Sequence, residues 1–552
     1  MKRIYAKAYK LSRIRTLVDD GLFAVPELQR EFVWTSRKAC DLLDSVYRHY
    51  PIGTLLVWKT GRRNENQLRS QLHILPPFNP GNPDIWFLID GQQRLSVLWH
   101  FVCGAPSIVR NSDGREVDFG AVHFDTQAGP SERLFIYRKR VAGTLGRRLI
   151  PVVDLLARNW TQKAKAYGAR AKKRIEDCRR RLLSYKVFIV FCETDHREEV
   201  RETFVRVNSL GMEIGAADRA FARASKIKMR NLVRDVQARL KNGFGKVKRT
   251  TILQTATLAL GGKDLGERAI DSMVSRVENS ESERARFNKA WPKLREGFTA
   301  AADYLVMPPL LVPGFDFLPS EPMITVLALY FYYKGPGRPP KAAQKRLSRW
   351  FWATAVGARY TGRGYRPNLL ADAEFAKRLA ANSSAQLPSL ARVPGHALRS
   401  VDYSRPGPIS NAFFCLLRHR RPRYLEDGAE IPLGEISSRR NRSDKHHVFP
   451  RALLSRNGFG TDRANSILNI CYLVARENQS IGSRAPRKYL EEFPNSVRAR
   501  NQSMRSHLLP TAKDSGLWDA SVKRGFKSFQ SERELILKKA FTQQAGAKLF
   551  EA

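Results

Sequence analysis

Near residue 450 of this 552-residue chain stands Asp444-Lys445-His446-His447-Val448-Phe449-Pro450, just after a basic loop, Arg439-Arg440-Asn441-Arg442. Downstream come Asn469, in Ser466-Ile467-Leu468-Asn469-Ile470-Cys471-Tyr472-Leu473, and Asn478, in Arg476-Glu477-Asn478-Gln479. Histidine titrates near neutrality without help, which is the first demand on a general base. A metal that activates phosphate hydrolysis needs a few N or O ligands and open positions for substrate and water. The stretch offers a base, a ligand beside it and two later amides to orient or coordinate. A fold that uses them has to bring all four together. Taken alone, the histidines also fit a surface His-His pair followed by ordinary turn asparagines.

Charge narrows the setting. Lys and Arg total 96 against 52 Asp and Glu, a formal net charge of +44 that is spread along the chain. A polyanionic partner, most simply nucleic acid, accounts for that excess better than an Arg-rich, merely solubilised surface. Hydrophobic residues make up 43% and aromatics 10%, a globular rather than a disordered composition, and the length allows about two to four domains. The six cysteines form no CxxC pair, and most lie in apolar runs such as Phe413-Phe414-Cys415-Leu416-Leu417. They read as reduced, buried thiols, which excludes a zinc or disulfide framework and points to the cytoplasm. The N-terminal MKRIYAKAYKLSR lacks the apolar run of a signal peptide, and no window is long and apolar enough to span a membrane.

Taken in order, residues 12 to 24 have the spacing of an amphipathic helix, with Ile14, Leu17, Val18 and Leu22 on one face. Pro26 breaks it, and an extended piece presents Gln29 and Arg30 before a helix over 36–48. Pro51 to Trp58 reads as a turn and a buried strand, and Ile85 to Ile89 as a second strand. That strand ends in Asp90-Gly91-Gln92-Gln93-Arg94, where a helix starts at once. A glycine turn between strand and helix aims N–H groups and a positive helix end at one spot, and Arg94 adds a fork suited to phosphate. The alternative is a tight turn in which Asp90 and Arg94 pair structurally. Trp160 to Ser184 reads as one long basic helix, a DNA-contact candidate if not simply solvated, and Lys186 to Phe191 as a central strand. Glu198 to Asn208 reads as a further helix. From about 221 to 405 the pattern is mostly helical, with buried helices over 251–260 and 323–333. The aromatics of Arg349-Trp350-Phe351-Trp352 through Tyr360 fit core packing better than base stacking. A closing helix is expected within 521–550.

The residues around 446–490 resemble the HNH, or ββα-metal, nuclease motif in the variant whose last histidine is an asparagine. The resemblance makes His447 the base that activates water, His446 a metal ligand, Asn469 the residue that orients the base and Asn478 the closing ligand. Asp444 is a rival ligand if the register shifts. Phe449-Pro450 after the pair and Ala485-Pro486-Arg487-Lys488-Tyr489-Leu490 at the end complete the pattern.

Three further blocks resemble the ParB/sulfiredoxin-like N-terminal domain of GmrSD-type restriction proteins. They are Pro26-Glu27-Leu28-Gln29-Arg30-Glu31-Phe32-Val33-Trp34, Leu88-Ile89-Asp90-Gly91-Gln92-Gln93-Arg94-Leu95, and Phe204-Val205-Arg206-Val207-Asn208-Ser209-Leu210-Gly211 followed by Ala217-Asp218. The resemblance implies a nucleoside triphosphate site built from Gln29, Arg30, Asp90, Gly91, Gln92, Gln93, Arg94, Asn208 and Gly211, with Asp90 also active in turnover. Many such proteins join the same two domains in this order.

The resulting expectation is an α+β protein with a ParB/sulfiredoxin-like nucleotide-binding domain over 1–220, a helical linker domain over 221–405 and an HNH nuclease domain over 406–552. It would act in phage defence, cutting double-stranded DNA, modified or phage-derived, with Mg2+ or another divalent ion and under nucleotide control. Two other classes fit the same residues: a DNA-binding nucleotide switch with a non-catalytic HNH fold, and an NTPase effector that depletes nucleotides.

Overall fold

The computed structural model describes residues 3–26, 32–68, 75–103, 108–110, 116–129, 132–196, 199–200, 203, 216–224, 226–389, 392–425, 427–432, 445–473, 475–492 and 496–551. The protein is mixed α+β and divides into two compact units, Met1–Ser225 and Lys226–Ala552. The regions expected as a linker domain and a nuclease domain lie together in the second unit.

The first unit is built on a five-stranded sheet. Its strands are β1 (Arg3–Lys10), β2 (Phe23–Ala24), β3 (Leu55–Gly61), β4 (Asp84–Asp90) and a late strand, Lys186–Glu193, in the spatial order β1, late strand, β3, β4, β2. Helices α1 (Leu11–Asp19), α2 (Ser36–Tyr47) and α3 (Gln92–Val102) bury Ile14, Leu43, Val46, Leu95, Leu98 and Phe101 in its main core. Side chains alternate along β4, so Leu88 joins that core while Ile85, Phe87 and Ile89 form a second cluster with Trp58. Burial on both faces explains why β4 reads as a continuous apolar run.

Two sequence expectations shift here, and one strand lies where none was expected. The helix read over 12–24 ends at Asp19, and Phe23 and Ala24 pair in parallel with Trp86 and Phe87 instead. Sheet pairing, with Trp86 N–H donating to the Leu22 carbonyl at 3.2 Å, outweighs the helical pattern there. The polar N-terminus becomes β1 because the late strand pairs with it, Arg3 opposite Glu193 through Lys10 opposite Lys186. The single helix read over 160–184 is interrupted: Trp160–Lys163 and Ala169–Ser184 are separate, and the hydroxyl of Tyr167 donates to the Leu149 carbonyl at 2.8 Å between them. Along the second of these, Arg174 and Arg179 donate to the carbonyls of Ala128 and Leu155, both at 2.9 Å, while Arg170, Lys173 and Arg180 stay exposed. Part of the basic face is thus structural.

In the second unit, Pro322–Lys334 is apolar all round and packs on Glu281–Val306 and Tyr365–Ala381. Trp350, Phe351 and Trp352 are buried, as core packing requires. Asp372, fully buried, accepts from Trp350 Nε1 at 2.9 Å, Arg359 Nη2 at 2.9 Å and the Tyr360 hydroxyl at 2.5 Å, so its charge is fully partnered. Lys341–Val356 packs on the closing helix, Val522–Ala545, with the Trp352 and Phe541 rings 6.2 Å apart. All six cysteines are free thiols, five of them buried. Among the described residues no helix is long and apolar enough to cross a membrane.

Candidate functional site

In the second unit, Lys445–His447 and Ile470–Tyr472 pair antiparallel, with His446 opposite Cys471 and His447 opposite Ile470. The helix Ala475–Ile481 follows. The order is strand, a connection that carries the short helices Arg451–Arg456 and Thr461–Ala464, strand, helix. Neighbouring side chains leave a strand on opposite sides, and the two histidines differ in burial. His446 is buried and His447 half-buried.

Asn469 is wholly buried and fully engaged by main chain. Its Oδ1 accepts from Phe449 N–H at 2.8 Å, its Nδ2 donates to the carbonyls of Phe449 and Ala464, both at 3.0 Å, and its own carbonyl accepts from Val448 N–H at 2.8 Å. It therefore locks the chain leaving His447 against the chain that begins the next strand. The group against the imidazole itself is Asn465, whose Oδ1 lies 3.1 Å from His447 Nε2. Sequence reasoning did not single it out, and no local signal marks it. Tyr403 lies edge-on to the same ring, centroids 5.5 Å apart.

Two residues from later in the chain brace this arrangement. The hydroxyl of Tyr489, in the block expected to close the motif, donates to the Val448 carbonyl at 2.8 Å. Arg533, on the closing helix and wholly buried, donates to the carbonyls of Leu468 at 2.8 Å, Ile470 at 2.5 Å and His507 at 3.0 Å. Burial pulls its pKa down to about 10, and it stays charged because those carbonyls and the faces of Phe413 and Phe529 receive it. Burial likewise lowers the pKa of His447. The Asn465 bond and Asp402 raise it in part, and Arg451 lowers it further, so at neutral pH the imidazole is mostly a free base.

Across from His446, the Cys471 thiol is pushed up to about 12, first by burial, with the Glu477 carboxylate adding to the rise. Among the described residues, no three His, Cys, Asp or Glu side chains form a metal-holding group. Asn478 lies in the helix Ala475–Ile481, but its side chain falls outside the described residues, as do Asp444 and the basic loop 439–442.

In the first unit, β4 ends at Asp90 and α3 begins at Gln92. Gly91 turns the chain at φ 88°, where a Cβ would lie 2.3 Å from a Leu55 methyl. Arg94 is committed within the protein: Nη2 meets Asp90 Oδ2 at 2.8 Å and Nη1 donates to the Ile52 carbonyl at 2.7 Å. A Cβ on Gly53 would lie 2.6 Å from that Nη1. Gln93 Oε1 accepts from the N–H groups of Val33 at 2.9 Å and Trp34 at 3.3 Å, which brings the first block to the turn. Gln92 differs. It is 2% exposed, at the start of α3, and among the described residues neither its amide nitrogen nor its oxygen has a hydrogen-bond partner. One turn on, the buried Ser96 hydroxyl also has none. Leaving such groups unsatisfied costs about 1–3 kcal/mol each. Gln29, Arg30, Asn208 and Gly211 lie outside the described residues.

Comparison with known proteins gives two results. The chain is 21% identical over 512 residues to an uncharacterized protein of Methanocaldococcus jannaschii, covering 86% of this chain and 85% of that protein. That span exceeds the first unit and so runs into the second. Residues 11–224 match the family described as GmrSD restriction endonuclease, N-terminal domain, so the first unit is similar to the N-terminal domain of those enzymes.

Proposed function

We propose that this protein is a restriction-type DNA endonuclease of phage defence, with an HNH-like centre at His447 and a nucleotide-responsive turn at Asp90–Arg94. The observation that carries the reading is the antiparallel strand pair, joined through two short helices and followed by the helix Ala475–Ile481, that holds a neutral, half-buried His447 at the end of its strand, in a chain whose residues 11–224 match the GmrSD N-terminal family. In the reaction, His447 takes one proton from water and the resulting hydroxide adds to phosphorus. The bond to the leaving sugar oxygen breaks, and that oxygen keeps the electron pair until solvent protonates it. A divalent ion such as Mg2+, held by His446 and Asn478, would supply charge stabilisation at the scissile phosphate and the leaving oxygen. The net charge of +44 suits a DNA substrate. The unpartnered Gln92 amide beside the Gly91 turn supports a nucleotide at the other site. Sensing of DNA modification belongs to the same reading.

The test is plasmid cleavage with modified and unmodified DNA, with and without Mg2+ and each nucleoside triphosphate. Metal-dependent cutting that responds to nucleotide is the expected result. DNA binding without any cutting would replace this reading with a nucleotide switch on a non-catalytic HNH fold. Nucleotide loss with intact DNA would replace it with an NTPase effector.

A further inference from the structure

Resting on the reading of His447 as the base, we infer that Asn465 is the positioning residue that sets the tautomer of that base. Asn465 Oδ1 lies 3.1 Å from His447 Nε2. An amide oxygen only accepts, so the ring nitrogen facing it carries the proton and Nδ1 keeps the lone pair that takes a proton from water. The pairing is built from both sides. Asn465 closes the short helix Thr461–Ala464; its N–H donates to the Thr461 carbonyl at 2.9 Å and its carbonyl accepts from Tyr403 N–H at 3.0 Å. Next to that bond, Asp402 bridges to Ser466, and beyond it Ile467 N–H donates to the Val401 carbonyl at 2.9 Å. Residues 401–403 thus run alongside 465–467 and bring the Tyr403 ring against the imidazole, at 85° between planes.

The two asparagines divide the work. Asn469 holds main chain only, and one of its bonds goes to the carbonyl of Ala464, the residue just before Asn465. It places the turn from which Asn465 reaches the ring. Since the Asn465 main-chain bonds survive a change of side chain, substitution there tests the ring contact alone.

The experiment uses the full chain with Asn465→Leu, Asn465→Asp, His447→Ala and His447→Gln. The first readout needs neither metal nor DNA. In histidine-15N-labelled protein, at one pH where imidazoles are neutral, the His447 signals are assigned by their loss in His447→Gln. Wild type and Asn465→Asp should show the proton on Nε2, and Asn465→Leu a mixture of tautomers. The second readout is single-turnover cleavage at saturating DNA. Asn465→Leu should slow it about 10- to 100-fold, with DNA affinity and melting temperature unchanged, and Asn465→Asp should recover most of the rate. A wild-type proton on Nδ1, as when the amide nitrogen faces the ring, overturns the inference. So does Asn465→Leu with wild-type tautomer and rate. If His447→Ala cuts like wild type, the functional reading falls instead. An inactive His447→Ala beside an unaffected Asn465→Leu sinks the tautomer assignment alone.

Discussion

The His447 centre and the Asp90–Arg94 turn handle their polar residues in opposite ways. Around His447 the framework is held by main chain: Asn469, Tyr489 and Arg533 all bond to backbone groups beside His447. One side-chain bond, to Asn465, touches the imidazole. At the turn, the two charged residues of the motif consume each other, Arg94 being held by Asp90 and the Ile52 carbonyl. Among the described residues, the neutral amide of Gln92 and the hydroxyl of Ser96 have no hydrogen-bond partner there. A charged residue in a motif can therefore be structural.

The largest effect should come from the centre. His447→Ala should cut the rate of DNA cleavage by about a hundred- to ten-thousandfold while leaving the fold intact, read by cleavage kinetics beside circular dichroism. Wild-type cutting would remove the contrast between a reactive centre and a structural turn.

Acid should loosen the same centre. His507, buried beneath it, bonds through Nε2 to the Arg423 carbonyl at 2.7 Å, and burial pulls its pKa to about 4. In the unfolded chain it titrates at the ordinary value, so unfolded molecules take up the proton first as pH drops. Its contribution is intact above pH 6.5 and is lost as the pH falls toward 4, by about 3 kcal/mol in all. Denaturation midpoints from pH 7 to pH 4 measure this, and in His507→Gln that part of the slope should vanish.

Asn469→Ala comes next. It strands the Phe449 N–H and the carbonyls of Phe449 and Ala464, and should cost about 2–4 kcal/mol in stability, measured by urea unfolding. Lost activity with unchanged stability would show that Asn469 acts on the reaction instead of on the loop.

The smallest effects sharpen the comparison at the turn. Arg94→Ala should lower stability by about 1–2 kcal/mol even without nucleotide, because its bonds are internal. Gln92→Leu should leave stability equal or slightly raised, yet abolish the thermal shift that nucleotide produces in the wild type. The reverse pattern, with Arg94 dispensable for folding and Gln92 dispensable for the shift, would overturn the assignment of roles.

Much of this protein was legible before any fold was known, because the signals were local. The apolar run over 85–89 ending in Asp90-Gly91 marked a strand that turns into a helix, and β4 and α3 lie there. The all-apolar 323–333 stretch marked a buried helix, and Pro322–Lys334 is one. The asparagines and the Pro486–Leu490 block stood at motif spacing, and Asn469 and Tyr489 both reach the chain around His447.

Other features were decided only by tertiary structure. β1 carries Arg3, Lys7 and Lys10 and has no strand pattern of its own; its pairing is supplied by residues 186–193. The imidazole partner Asn465, the brace Arg533 and the Gln93 bonds to Val33 and Trp34 join positions whose separation leaves no periodic trace. Alternation and helical spacing encode which face of an element is buried, so sequence alone determined where strands and helices could lie. Which buried polar group finds a partner, and which is left for a ligand, depends on distances between elements, and only the packed chain sets those.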